Sequence, residues 1–294
     1  MRDFGSVLTA MVTPFTPELE VDYDKAAELA RRLVDSGSDG VVVAGTTGES
    51  PTLTKEEKTS LFRAVVDAIG NDAAVVAGTG TNATQASIEL TRAAEKVGVH
   101  GVMAVVPYYN KPPQDGLIAH FRAVAGATGL PVILYNIPGR TGVNMTPETL
   151  EKLSSVANIV AVKEASGSLD QVTDIRRRTP PSFKIYSGDD SLTLPILSVG
   201  GAGIISVASH VAGRRLREMV DAYFAGEVGK AAAINAELFP LFKALFVTTN
   251  PIPVKLALRL AGFDVGGLRP PLVEASAKEA QVVRQALADL GLLA

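Results

Sequence analysis

The stretch 158–168, N-I-V-A-V-K-E-A-S-G-S, decides how the rest of the chain is interpreted. Its apolar part, residues 159–162, is rich in β-branched side chains, which is typical of a short strand buried on both faces. Lys163 ends this predicted strand, although lysine is almost never buried without a partner. The residues after it are loop and helix-start types. The stretch therefore predicts a lysine at the carboxyl end of a buried parallel strand, where α/β barrels place catalytic groups.

Lys163 has two interpretations at this point. In the first, burial lowers the pKa of its amine, and the neutral amine attacks a carbonyl carbon. In the second, it is a rim lysine paired with Glu164 or another carboxylate. This stretch by itself leaves both open.

Composition narrows the classes of function. The 294 residues are 47% hydrophobic, which is ample for a large core, and the net charge of −3 does not indicate a nucleic-acid or membrane surface. The absence of cysteine excludes disulfides, Cys-ligated metals and thiol catalysis, and three histidines argue against a His-rich metal site. No apolar run approaches the ~20 residues of a membrane span, and the start lacks a signal-peptide pattern. We expect a cytoplasmic protein without nucleic-acid or membrane partners.

Short apolar runs alternate with amphipathic helical segments eight times over residues 1–225. Such a chain, without a glycine-rich nucleotide fingerprint after its first strand, favours a closed (β/α)8 TIM barrel of the α/β class. A doubly wound open sheet is the alternative. The predicted strands are 7–12, 41–44, 74–77, 101–106, 132–135, 159–162, 184–187 and 203–207. The predicted helices are 23–36, 54–69, 83–97, 116–127, 147–155, 169–177, 191–198 and 212–225.

The pattern changes after residue 225. Three helices are predicted at 230–247, 253–260 and 275–292, with no strand between them. We therefore predict a catalytic barrel over residues 1–225 and a helical C-terminal region over residues 226–294.

The segments that follow the strands should share one rim of the barrel. Residues 45–50, G-T-T-G-E-S, place hydroxyls and backbone N–H groups where a carboxylate or phosphate oxygen could bind, although an ordinary turn is the alternative. Tyr135 ends the fifth strand, and Arg140 follows in its loop. A phenol can relay protons for an amine, and a guanidinium can hold a carboxylate through two hydrogen bonds. A core tyrosine and a surface arginine are the alternatives.

The pair Asp189-Asp190 follows the seventh strand. Adjacent carboxylates could suggest a divalent metal, but at a helix N-terminus they also suit the helix dipole. We therefore expect no metal site. Taken together, the rim residues suit imine chemistry on a small keto acid, in which loss of a methyl proton from the imine gives an enamine that acts as a carbon nucleophile.

Several motifs in order closely resemble the pyruvate-dependent class I aldolase superfamily and, within it, the dihydrodipicolinate synthase family. They are residues 45–49, 107–110, 135–141, 162–165 and 250–255. The resemblance covers essentially the whole chain. It implies a homotetramer, without metal or organic cofactor, that condenses pyruvate with L-aspartate 4-semialdehyde to 4-hydroxy-tetrahydrodipicolinate on the route to diaminopimelate and lysine.

The resemblance also implies catalytic roles. Lys163 would be the Schiff-base lysine and Tyr135 the proton relay. Thr46 would link Tyr135 to Tyr109, which in this family reaches in from a neighbouring subunit.

Further residues would bind the substrates. Thr47 would hold the pyruvate carboxylate, and Arg140 would hold the carboxylate of the semialdehyde. Gly188 and Ile205 would line the pocket, the latter through its backbone carbonyl.

One departure from the family concerns feedback inhibition. Ser50, Asn82 and Tyr108 match an effector cavity for lysine. Where inhibited relatives carry histidines and a glutamate, this chain has Lys55, Lys58 and Ala86. We expect weak or absent inhibition by lysine, because its ammonium groups would meet cations.

The residues alone leave two other functions open. One is a pyruvate-releasing aldolase of the same superfamily, acting on a 2-keto-3-deoxy sugar acid. The other is a regulatory barrel that binds a keto acid without turning it over. Arg140 and Tyr109 favour the synthase over the first, and the presence of both Lys163 and Tyr135 argues against the second.

Overall fold

Eight parallel strands, β1–β8, close into a barrel in chain order in a computed structural model that describes residues 3–294. The closed sheet confirms the predicted TIM barrel and rules out the open doubly wound sheet. The strands are Val7–Ala10, Gly40–Val43, Ala74–Gly78, Gly101–Val105, Val132–Asn136, Ile159–Glu164, Lys184–Ser187 and Gly203–Ser206.

Twelve α-helices, α1–α12, accompany the strands of the described chain. The longer helices between strands are amphipathic and bury their apolar side against the barrel, as Leu29 and Leu33 of the first helix do. The helices are Tyr23–Asp35, Lys55–Ile69, Thr84–Val97, Gln114–Ala125, Pro138–Thr141, Pro147–Ser154, Leu169–Arg178, Thr193–Ser198, Ser209–Phe224, Val228–Ala244, Ile252–Leu260 and Ala277–Asp289.

Strand β6 is longer than predicted, because it includes Lys163 and Glu164. Lys163 is aligned with Tyr135 on β5 and with Tyr186 on β7, so the ladder continues past the apolar run. Side chains alternate between the two faces of a strand. Lys163 therefore shares the barrel interior with Ala161, which packs in the inner apolar cluster, whereas Glu164 lies on the opposite face.

The last barrel helix, α9, also begins earlier than predicted. It starts at Ser209 rather than at residue 212, and Ala212 has non-helical dihedrals (φ −124°, ψ 29°) that mark a kink. The extra turn is held by side chains, since Ser206 Oγ accepts a hydrogen bond from the Ser209 amide at 2.9 Å. Sequence periodicity does not register such a turn.

The three predicted C-terminal helices are present as α10, α11 and α12. Helix α10 packs on α9, and α12 packs on both α10 and α11. Among residues 3–294, no helix combines the length and the apolar character needed to cross a bilayer.

Candidate active site

Lys163 and Tyr135 lie side by side on neighbouring strands, inside the carboxyl end of the barrel. The Lys163 ammonium nitrogen is 4.5 Å from the centroid of the Tyr135 ring. Each residue is only 4% exposed. Glu164 does not pair with Lys163, since its carboxylate accepts hydrogen bonds from Asn136 and Ser166. The interpretation of Lys163 as a rim lysine paired with Glu164 is therefore wrong.

Burial changes the acidity of both groups. It lowers the pKa of Lys163 to about 8, against a smaller upward effect of the Asp190 charge. Burial also raises the pKa of Tyr135 to about 12, while the neighbouring Arg140 charge and the Thr46 side chain act in the opposite direction. The pair therefore combines an amine that is easily deprotonated with a phenol that keeps its proton near neutral pH.

A cavity of about 310 Å³ has Tyr135 in its wall, and Lys163 lies against the ring of this tyrosine without lining the cavity itself. The cavity brings together Thr46 from the end of β2 with Tyr135 and Arg140 from the end of β5, which the sequence analysis expected on one rim. The rest of its wall comes from Ala44, Gly45, Ser50, Pro51, Lys58, Gly78, Gly80, Thr81, Met103, Val105, Tyr108, Ile137 and Thr141.

Arg140 belongs to a short helix, Pro138–Thr141, that the sequence analysis did not predict. The proline at its first position has a backbone suited to a helix start. The guanidinium donates one hydrogen bond, of 3.3 Å, to the carbonyl oxygen of Asn250. Its remaining N–H groups can meet a carboxylate in the cavity.

Thr47 is buried and does not line the cavity, although its neighbour Thr46 does. Its hydroxyl oxygen accepts a hydrogen bond from the Asn250 side-chain amide at 2.9 Å. Because that oxygen already accepts, the hydroxyl proton is free to be donated to a ligand oxygen.

Asn250 is a site residue that sequence reasoning missed. Its side chain holds Thr47 and its carbonyl holds Arg140, so one residue of the C-terminal region contacts both residues expected to bind carboxylates. Its Oδ1 atom is buried and has no hydrogen-bond partner among residues 3–294. The only signal was the N-P-I-P motif at residues 250–253, which indicates a helix break and says nothing of contact with the barrel.

Asp190 is a second missed residue. Its buried carboxylate accepts hydrogen bonds from Ser206 Oγ at 2.5 Å and from the amides of Val207 and Ala208 at 3.0 and 3.1 Å. These bonds join β8 to the turn after β7, and the charge of Asp190 raises the pKa of Lys163. Within residues 3–294, no group of three acidic or histidine side chains could hold a metal ion.

Gly188 and Ile205 lie against the reacting end of the barrel. A Cβ atom at Gly188 would stand 2.8 Å from the Ala165 side chain and 3.2 Å from Lys163 Cε, so only glycine leaves room for the lysine there. Ile205 lies on β8 with its side chain in the inner apolar cluster.

Tyr109 does not join the other site residues within one chain. It is 90% exposed and has a left-handed backbone, with φ of +74°. The adjacent Tyr108 lines the cavity instead. The contact of Tyr109 with a neighbouring subunit stays a prediction.

The residues expected around an effector lie in different environments. Ser50, Tyr108 and Lys58 all line the cavity. Lys55 points away and pairs with Glu89 at 3.6 Å. Ala86 is exposed, and Asn82 contributes its carbonyl oxygen to a hydrogen bond from Asn110.

The fold and the site define a class of (β/α)8 barrels that carry a buried lysine at the carboxyl end of their strands. The profile of the dihydrodipicolinate synthetase family matches residues 3–290. A 4-hydroxy-tetrahydrodipicolinate synthase from Moorella thermoacetica is 61% identical, over 99% of each chain. The chain belongs to the dihydrodipicolinate synthetase family.

Solved structures agree with this assignment. A dihydrodipicolinate synthase from Cyanidioschyzon merolae, with lysine bound, superposes with a TM-score of 0.97 at 52% identity, over 99% of each chain. A variant described as the first monomeric dihydrodipicolinate synthase superposes with a TM-score of 0.96 at 42% identity, over 99% of this chain and 98% of its own. The prediction of an enzyme of this family is confirmed, and the synthase is favoured over the two alternatives.

Proposed function

We propose that Lys163 carries the family reaction, the condensation of pyruvate with L-aspartate 4-semialdehyde to 4-hydroxy-tetrahydrodipicolinate. The protein is a lyase of the lysine and diaminopimelate pathway. The observation that supports this role most strongly is the burial of the Lys163 amine against the Tyr135 ring, with the amine pKa lowered to about 8.

The geometry supports the following sequence of steps. The neutral amine of Lys163 attacks the ketone carbon of pyruvate, and water leaves to form the imine. Loss of a methyl proton gives an enamine, whose carbon attacks the aldehyde of the second substrate. The amino group of that substrate then displaces Lys163 and closes the ring. Tyr135 exchanges protons with the reacting oxygen and nitrogen atoms, and Thr46 orients its phenol.

The function is tested by turnover with both substrates. Purified protein with pyruvate and aspartate 4-semialdehyde should form a product that a coupled reductase consumes with its nicotinamide cofactor. Pyruvate paired with sugar-type aldehydes is the control. Faster turnover of those aldehydes would contradict the proposed second substrate.

Tyr109 supports a proposal about assembly. An aromatic side chain that is 90% exposed in one chain, next to a residue that lines the cavity, suits a contact with a second copy. We infer a homotetramer in which Tyr109 of one subunit completes the site of its neighbour. Sedimentation velocity should show four copies, and a monomer with full activity would contradict this proposal.

Arg140→Ala should weaken binding of the semialdehyde more than binding of pyruvate. The side chain lines the cavity and forms a single hydrogen bond within residues 3–294, so its other donors are available for the carboxylate of the second substrate. Losing a charge-assisted pair should cost about 2–3 kcal/mol, or roughly a hundredfold in the KM of the semialdehyde. Separate Michaelis constants measure this, with Arg140→Lys as the control that keeps the charge. Equal increases in the two Michaelis constants would contradict the prediction, because Arg140 would then act on both substrates alike.

The second-order rate constant for pyruvate should rise with pH and level off above about 8. Only the neutral amine attacks, and lowering the pKa of Lys163 from 10.5 to about 8 leaves about a tenth of the amines neutral at pH 7. Stopped-flow measurement of imine formation between pH 6 and 10 gives the profile. An inflection near 10.5 would mean that burial does not activate this lysine.

Free L-lysine should inhibit weakly or not at all, in contrast to its binding by the solved relative from C. merolae. In this chain, Lys58 lines the cavity and Ala86 offers no carboxylate. At ~6 Å and an effective dielectric constant of ~20, one contact between like charges costs on the order of 3 kcal/mol before screening. Initial rates with lysine up to tens of millimolar decide the matter. Half-inhibition well below a millimolar would contradict the prediction.

A further inference from the structure

We propose that Glu164 is a positioning residue for the reaction, which holds β5 and β6 so that Lys163 stands against Tyr135. The inference rests on the proposed function, because it takes Lys163 as the nucleophile. Glu164 lies on the opposite face of β6 from Lys163, so its carboxylate points away from the barrel interior and acts through its neighbours rather than on a substrate.

The carboxylate of Glu164 is fully engaged by hydrogen-bond donors, and the residue is only 1% exposed. It accepts hydrogen bonds from Asn136 Nδ2 at 3.0 Å, from the Ser166 amide at 2.7 Å and from Gln171 Nε2 at 3.2 Å. Because all three partners donate, only a group with several lone pairs satisfies them, as a carboxylate does. Such a group resists displacement, since each lost bond would leave a buried oxygen without a partner.

The hydrogen bond between Glu164 and Asn136 lies directly behind the reacting pair. Tyr135 is aligned with Lys163 on the neighbouring strand, and Asn136 is aligned with Glu164 one residue further on. Because side chains alternate between faces, the first pair faces the barrel interior and the second pair faces outward. Asn136 and Glu164 end β5 and β6, so the ladder that fixes the strand spacing stops here. The side-chain bond therefore holds the inner pair at the point where backbone pairing ends.

The same network reaches the segment that follows Arg140. Asn136 donates a second side-chain hydrogen bond to Asn144 Oδ1 at 2.8 Å, and its own Oδ1 accepts from the Met145 amide at 2.9 Å. Asn144 and Met145 come shortly after the helix Pro138–Thr141, which carries the guanidinium. One buried carboxylate thus fixes the amide that ties the ends of both strands to this segment.

The test measures imine formation with pyruvate by stopped flow in Glu164→Gln and Asn136→Ala. The first variant keeps the side-chain size but turns an amide N–H toward donors, and the second removes the same bond from β5. In each, the limiting rate at saturating pyruvate should fall at least roughly tenfold, because a small misplacement of reacting groups is enough. The half-saturating pyruvate concentration should stay within about twofold, since the contact of Thr47 with Asn250 is untouched. The double variant should be no slower than the slower single variant, because both changes break one bond.

Asn158→Ala is the matched control for a general loss of stability. Asn158 stands just before β6, at the end of the strand away from the site, and donates to the carbonyl oxygens of Ala125 and Leu130 at 2.9 and 3.2 Å. Its replacement should lower the urea midpoint and leave the limiting rate of imine formation unchanged. A partly folded variant would show a smaller amplitude at the wild-type rate, which separates unfolding from misplacement.

Limiting rates within about twofold of the wild-type rate in both Glu164→Gln and Asn136→Ala would overturn the inference and leave the proposed function intact. A change confined to the half-saturating concentration would also overturn it, because Glu164 would then serve pyruvate binding. So would an equal loss of rate in Asn158→Ala, which would show a general effect of the strand. Wild-type protein that forms no imine on Lys163 would overturn the proposed function, and this inference with it.

Discussion

Lys163→Arg is expected to lose turnover by at least about a thousandfold. A guanidinium stays protonated up to a pH of ~12 or above and cannot act as the nucleophile, so no imine forms. In other enzymes, removal of the nucleophile alone costs more than this factor in kcat. Arginine keeps a positive charge beside Tyr135, so the loss would reflect the missing nucleophile rather than a missing charge. The coupled assay measures the loss.

Trapping the imine with pyruvate tests whether Lys163 is the nucleophile. Borohydride added with pyruvate should attach the mass of the reduced adduct to the peptide that contains Lys163, and Lys163→Arg should show no adduct. Lys58, which lines the cavity that Tyr135 also lines, is the internal control, because it should remain unmodified. An adduct on any other lysine would contradict the assignment.

Lys255→Met is expected to lower the free energy of unfolding by about 3–5 kcal/mol, the usual effect of removing one partner of a buried ion pair. Lys255, on α11, meets Glu49 Oε1 at 2.6 Å, and both side chains are essentially inaccessible. That oxygen has no hydrogen-bond partner among residues 3–294, so the ion pair with Lys255 is its direct compensation. The variant would leave a buried carboxylate oxygen without a counter-charge. Urea unfolding at a fixed protein concentration gives the difference.

Two further variants make this test specific. Lys230→Met removes a lysine that is half exposed and pairs with Glu218, so it should change stability by less than about 1 kcal/mol. Glu49→Gln, combined with Lys255→Met, removes both charges and should recover part of the loss. If Lys255→Met proved no more harmful than Lys230→Met, the buried pair would not be a source of stability.

The fold was largely predictable because each strand carries its own signal. The run at residues 159–162 is apolar and β-branched, and similar apolar runs mark β2, β3, β4 and β5. The end of β6 was not predictable in this way. Lys163 and Glu164 are charged, and their place in the ladder depends on Tyr135 and Tyr186 on neighbouring strands.

The candidate site was predictable only in part, for a related reason. Lys163, Tyr135 and Thr46 lie at or just after the carboxyl ends of strands, so the topology of a barrel brings them to one rim. Asn250 is 203 residues from Thr47 along the chain, and no periodic pattern predicts that the two meet. Asp190 was assigned to a helix start, and its bonds to the turn after β8 exist only once the barrel has closed.

The two contacts of Asn250 limit how this protein can be recombined with its relatives. A chimera that joined residues 1–225 to the C-terminal helices of another protein would bring in a foreign surface behind the rim. The recipient barrel would retain Lys163 and its imine chemistry, but Thr47 and Arg140 would lose the residue that orients both of them. Such a hybrid would form the imine with pyruvate but would bind the carboxylates of both substrates poorly. An exchange of segments therefore has to keep Asn250 together with both of its partners, Thr47 and Arg140.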